Sequence, residues 1–182
     1  PLPGEGARKA YLQAISRADG VWKARKALVN AIKTCSWQDT CTALSCVKWF
    51  GGSGFHAKEL VQDWLKTVLF EHYDPATDTW TSVCTDEATW SPMGPGARRG
   101  LNRMKKRDIQ AGVTDKTVSE ETFLEEMKQI FAVRSEHWPD IIAGEPAVAI
   151  DELHDIQFQL CEFDKYQRVL HGEGKSRRYT PR

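Results

Sequence analysis

Several things are missing from this sequence, and each absence removes a class of protein. The five cysteines, Cys35, Cys41, Cys46, Cys84 and Cys161, are odd in number and include no C-x-x-C pair. Neither a zinc site nor a disulfide framework is indicated, so reduced, mostly buried thiols are expected, in an intracellular compartment, cytoplasmic or nuclear. No run approaches the roughly 20 apolar residues of a membrane helix, and no membrane partner is expected. There is no G-x-x-x-x-G-K-[ST] loop, so the segment is not itself a P-loop kinase. No H-E-x-x-H, nucleophile elbow or dinucleotide fingerprint is present either. An excess of one charge is also absent, because Lys plus Arg and Asp plus Glu both number 25. Net charge therefore predicts no partner. The opening Pro1-Leu2-Pro3-Gly4 carries no basic-then-apolar signal and no initiating methionine, which reads as a segment of a longer chain or a processed product.

What is there is unevenly spread. Basic residues gather at 98–107 and again from Lys165 to Arg182, while Glu120, Glu121, Glu125 and Glu126 form an acidic block. From Gly94 to Arg107 there are six Arg or Lys residues and no acid. Gly94-Pro95-Gly96 reads as a tight turn in which glycine supplies positive φ, opening a basic helix. Unpaired N–H groups at such a start favour an anion, which makes Gly94, Gly96, Arg98, Arg99, Asn102 and Arg103 candidate phosphate or DNA contacts. A solvated basic helix after an ordinary turn is the bland alternative.

At 182 residues and 41% hydrophobic content, the chain suits a single helical domain over 1–182. A first helix is expected to end near Asp19-Gly20, followed by helices carrying Val21, Ala24, Leu28, Ala31 and Ile32, then Trp37, Cys41 and Leu44 with Ser36 as cap. Gly51-Gly52-Ser53-Gly54 breaks the pattern before the stripe Ala57, Leu60, Val61, Trp64, Leu65 and Val68. Two helices joined this way resemble a helix–hairpin–helix unit, in which Gly52, Gly54 and His56 can meet a phosphate, although many helix pairs are joined by glycine turns without a ligand. Residues 71–92 read as an irregular, functional loop. Thr117 with Glu120 forms a capping box for a helix with Phe123, Met127, Ile130 and Phe131 inward. Trp138-Pro139 and Gly144-Glu145-Pro146 interrupt the chain. A last helix over 147–170 turns Leu153, Ile156, Leu160, Phe163 and Leu170 inward, and 172–182 form a basic tail. No alternating strand pattern of useful length is seen, so the class is all-α.

Asp155 and Glu162, seven apart, share a face of the last helix, with Asp151 and Tyr166 extending the row. Such a row is normally a solvated edge; as a functional site it supplies a general base or holds a divalent cation such as magnesium between phosphates. Lys165 beside Asp164 is an ion pair or a phosphate contact. Asp86, just before the central turn, is a further candidate carboxylate. Asp63 reads as a surface acid. The tryptophans are core by default, with Trp90 the one placed for base stacking.

Taken together, Gly51 to Ala57, Asp63, Asp86 to Trp90, Gly94-Pro95-Gly96-Ala97-Arg98-Arg99-Gly100-Leu101-Asn102, Leu160-Cys161-Glu162-Phe163-Asp164-Lys165-Tyr166-Gln167-Arg168 and Gly172-Glu173-Gly174 resemble the alpha-glutamyl/putrescinyl thymine pyrophosphorylases. The helical domain of 5-hydroxymethyluracil DNA kinases is related and shares the Gly-Pro-Gly turn, but the Arg99-Gly100-Leu101-Asn102 continuation looks less like it. The resemblance implies an all-α, helix–hairpin–helix DNA glycosylase-like helical bundle. It implies a transferase acting on DNA that carries modified thymine, displacing pyrophosphate from 5-pyrophosphomethyl-uracil with an amine or amino-acid co-substrate. In that scheme the Gly94–Gly96 turn, Arg98 and Arg99 hold phosphates, Asp86, Asp155 or Glu162 is the base, and Lys165 steadies charge. No cofactor other than possible magnesium is implied. A non-catalytic helix–hairpin–helix DNA-binding module, the helical domain of a 5-hydroxymethyluracil DNA kinase and glycosylase-like excision using Asp86 are the alternatives.

Overall fold

A computed structural model describes residues 5–51, 55–137 and 152–173, apart from the side chains of 5–11 and 55. The expected opening turn, the glycines Gly52 and Gly54, the breaks at 138–146, Asp151 and the tail from 174 lie outside the described residues. The described residues form seven helices and one two-stranded hairpin, so the class is all-α as expected. The chain falls into two compact units, Pro1–Glu87 and Ala88–Arg182.

In the first unit, α1 (Glu5–Ile32) runs unbroken past Gly20. A Cβ at Gly20 would stand 2.9 Å from Val47 Cγ1, so this glycine serves a close approach and not a helix end. Ser36 caps α2 (Trp37–Ser45) by accepting from Asp39 N. The third helix, α3 (Phe55–Leu65), turns Ala57, Val61 and Leu65 inward, and Val68, placed on the same stripe by the sequence, is 75% exposed beyond the helix end. Leu28, Trp37, Leu44, Val47, Phe50, Val61, Leu65 and Phe70 are buried.

Residues 71–82 are not irregular. Strands β1 (Glu71–Asp74) and β2 (Thr79–Ser82) pair antiparallel, with Tyr73 opposite Trp80. No position in either strand is buried, so no apolar alternation marks them in the sequence. Of the tryptophans expected in the core, Trp37 is fully buried, while Trp49 and Trp80 are exposed. Among the thiols only Cys41 is buried, and all five are free.

The second unit contains α4 (Pro95–Met104), α5 (Glu120–Ala132), the single turn α6 (Arg134–His137) and α7 (Leu153–Leu170). Gly94 is the N-cap of α4 at φ −71, an ordinary conformation, so the turn does not need positive φ. The glycines of α4 matter for another reason. A Cβ at Gly96 would lie 3.0 Å from Cys161 Sγ, and one at Gly100 only 2.3 Å from Leu160 O. Spaced four apart, they let α4 lie directly on α7. Met93, Ala97, Leu101, Phe123, Met127, Leu153, Ile156 and Leu160 form the core between α4, α5 and α7. The cap of α5 is Ser119, which accepts from Thr122 N, and not Thr117, whose hydroxyl donates to Asp115. Leu170 is 60% exposed, contrary to its inward assignment, because the last turn of α7 runs past the core.

Candidate functional site

The close crossing of α4 and α7 sets the geometry of the charges beside it. Asp164 on α7 is buried, 1% exposed, yet carries a carboxylate. Burying that charge requires partners, and α4 supplies two: Arg99 Nε donates to Asp164 Oδ2 at 2.8 Å and Arg103 Nε to Oδ1 at 3.0 Å. Arg103 also pairs through Nη2 with Glu173, just past the end of α7. Glu173 beside it, with Asp164 adding to the effect, holds the Arg103 guanidinium above its ordinary value against the opposing cost of burial. Arg107 forms a bidentate pair with Glu126 at 2.8 and 2.7 Å.

Arg99, Arg103 and Arg107 open together, with Arg168 of α7, on a cleft of about 710 Å³ also lined by Asp108, Ile109, Gln110 and Glu173. Arg99 gives only its Nε to Asp164, and the Arg168 side chain has no hydrogen bond or ion pair among the described residues. The remaining guanidinium N–H groups are donors suited to phosphate or carboxylate oxygens.

The other candidates have different surroundings. Arg98 is turned into the fold: Nε donates to Met93 O at 3.0 Å, Nη1 to Gly112 O at 3.1 Å, and its plane lies 5.0 Å from the Phe123 ring. Asn102 is fully buried and its amide donates to Ile109 O and Ala111 O, which fixes the loop at the cleft's edge. Asp86 accepts from Ser36 Oγ, Trp37 N and Gln38 N at 2.7 to 3.0 Å and so closes the start of α2. Asp155 accepts from Glu152 N at the start of α7. Glu162 pairs with Lys165, and neither lines the cleft. His56 Nε2 lies 3.4 Å from Arg17 Nη2. Among the described residues no group of three or more His, Cys, Asp or Glu side chains is placed to hold a metal ion.

Six members of the cleft escaped the sequence reading as site residues: Arg107, Asp108, Ile109, Gln110, Arg168 and Glu173. A signal existed for part of it. Arg99 and Arg103 are four apart, and so are Asp164 and Arg168, which is the spacing of one helix face, whereas Arg107 lies beyond the end of α4.

Residues 70–176, more than half of the chain, match the family described as the helical domain of 5-hmdU DNA kinase. The chain belongs to this family. Of the two related families that the motifs resemble, the match falls on the kinase helical domain, even though the Arg99-Gly100-Leu101-Asn102 continuation reads less like it. Membership relates the chain to the enzymes of thymine hypermodification and adds no separate support for the pyrophosphorylases. No curated protein and no solved structure matches the chain. The helix–hairpin–helix likeness therefore gains no structural counterpart. No described helix is long and apolar enough to cross a membrane.

Proposed function

We propose that this chain is a DNA-gripping helical part of a thymine-hypermodifying enzyme, and that its arginine cleft holds backbone phosphates of DNA carrying 5-hydroxymethyluracil. The observation that carries the reading is the convergence of Arg99, Arg103, Arg107 and Arg168 on one cleft within the matched residues. Phosphate contacts of this kind set position on the nucleic acid, and the planar guanidinium fork suits them better than a lysine would. The sequence has no P-loop, so we assign these residues the holding of DNA and not of ATP.

Displacement of pyrophosphate by an amine asks for more. A carboxylate must accept the amine proton. Asp86, Asp155 and Glu162 each already accept a hydrogen bond or form an ion pair, which favours binding over chemistry in this segment.

Fluorescence anisotropy of the 182-residue chain with duplexes bearing 5-hydroxymethyluracil tests the reading. Arg99→Ala and Arg168→Ala are each expected to weaken binding about tenfold, or about 1.4 kcal/mol. Unchanged affinity in both variants contradicts it. Mixing the chain with amines and DNA bearing 5-pyrophosphomethyl-uracil, followed by nucleoside mass spectrometry, is expected to return the base unchanged; an amine-substituted base would establish the transferase instead.

A further inference from the structure

Two members of the arginine cleft have the wrong sign for a phosphate site: Asp108, which accepts from Gln110 N at 2.9 Å and pairs with no arginine among the described residues, and Glu173. The Glu173 carboxylate takes Arg103 Nη2. Its situation differs from that of Asp164, which sits beneath the same arginine. Asp164 is 1% exposed and takes the two Nε groups, whereas Glu173 has a side chain 45% exposed and takes an outer nitrogen. The one anchors; the other occupies.

The backbone behind Glu173 fits that distinction. Gly172 stands at φ +69, and a Cβ there would meet nothing within 4 Å. Glu173 N donates to Arg168 O at 2.7 Å, closing the end of α7. The carboxylate is therefore delivered to Arg103 by a turn with open space beside its glycine. A partly exposed ion pair of this kind contributes about 0–1 kcal/mol, so a phosphate group displaces it at small cost.

We propose that Glu173 is a resident stand-in for a ligand phosphate: it occupies Arg103 in the free protein and swings away when a phosphate group takes its place. The inference rests on the reading of the cleft as a phosphate site. A ligand must compete with a carboxylate already in place, so the pair lowers the affinity of an anion that needs Arg103 by up to about fivefold. Asp164 meanwhile keeps Arg103 aimed through the exchange, because its contact is on Nε.

The test is a double-mutant cycle in the full chain. Glu173→Gln is expected to tighten binding to duplex DNA about fivefold, with helical content and melting temperature unchanged. In an Arg103→Ala background the same change is expected to give no gain. Glu125→Gln, which removes an exposed acid paired only loosely with Lys128 at 3.9 Å, is expected to change affinity less than twofold. Weaker binding in Glu173→Gln would overturn the proposal, since Glu173 would then be a strut holding Arg103 in place. A gain that persists without Arg103, or that Glu125→Gln matches, would also overturn it as a general charge effect. If the unaltered chain binds no DNA, the function proposed above fails. The cycle is then run by calorimetry with inorganic pyrophosphate: binding tightened by Glu173→Gln upholds the exchange, and no binding by either protein overturns it.

Discussion

The two units each contain a carboxylate that gathers nitrogen and oxygen donors, and they use it differently. In the first unit Asp86 collects the Ser36 hydroxyl and the Trp37 and Gln38 amides. Once bound, those donors are spent: the helix start is closed and nothing is left for a ligand. In the second unit Asp164 collects Arg99 and Arg103 through one nitrogen each, and a guanidinium has further N–H groups to give. A carboxylate that exhausts its donors builds structure, whereas one that fixes part of a multivalent donor aims the remainder. That contrast separates a capping acid from a positioning acid without appeal to exposure alone.

The contrast can be broken by mutation, beginning with the largest effect. Asp86→Ala strips three donors at the head of α2 and is expected to cost about 3 kcal/mol of stability. Thermal denaturation should show it, while DNA affinity below the transition stays within twofold; lost affinity with an unchanged melting temperature would make Asp86 a ligand contact after all. Gly100→Ala comes next. The new methyl would meet the Leu160 backbone, which cannot step aside, so α4 and α7 must part at a cost of about 2 kcal/mol. Because the Arg99–Asp164 pair spans those two helices, DNA affinity should fall with stability in this variant. Asp164→Asn keeps the shape and one acceptor, so the fold should survive. Binding should weaken about tenfold, about 1.4 kcal/mol, as the aim of both arginines loosens. Equal affinity would reduce Asp164 to a second capping acid. The smallest effect is in the first unit's thiols. Burial pushes Cys41 up to about 12 and Cys84 up to about 11, so little thiolate exists at pH 8. Mass spectrometry after brief alkylation should find both slower than the exposed Cys46.

The helices were largely legible because their apolar residues repeat at helical spacing and bury there, as Phe123, Met127, Leu153, Ile156 and Leu160 do. The hairpin was not, because all of its side chains stay outside the core. The glycines at 94 and 96 were noticed for turn geometry, but Gly96 and Gly100 act through a neighbouring helix about 60 residues further along. Local patterns carry no trace of such a partner. The same limit explains the site. Arg98 and Arg99 are adjacent and look equivalent, yet a helix turns successive residues through about 100°. One faces Phe123 and the loop at Gly112, the other Asp164 and the cleft. Which arginine faces the ligand depends on where α7 lies.

The most direct test is the salt dependence of DNA binding, compared between the unaltered chain and Arg99→Ala/Arg168→Ala. Each phosphate contact contributes about 0.9 to the slope of log K against log salt for duplex DNA. Two lost contacts should lower that slope by about 1.8, with the helical content unchanged. An identical slope in both proteins would mean that the cleft meets no phosphate, and the account of the second unit would be wrong.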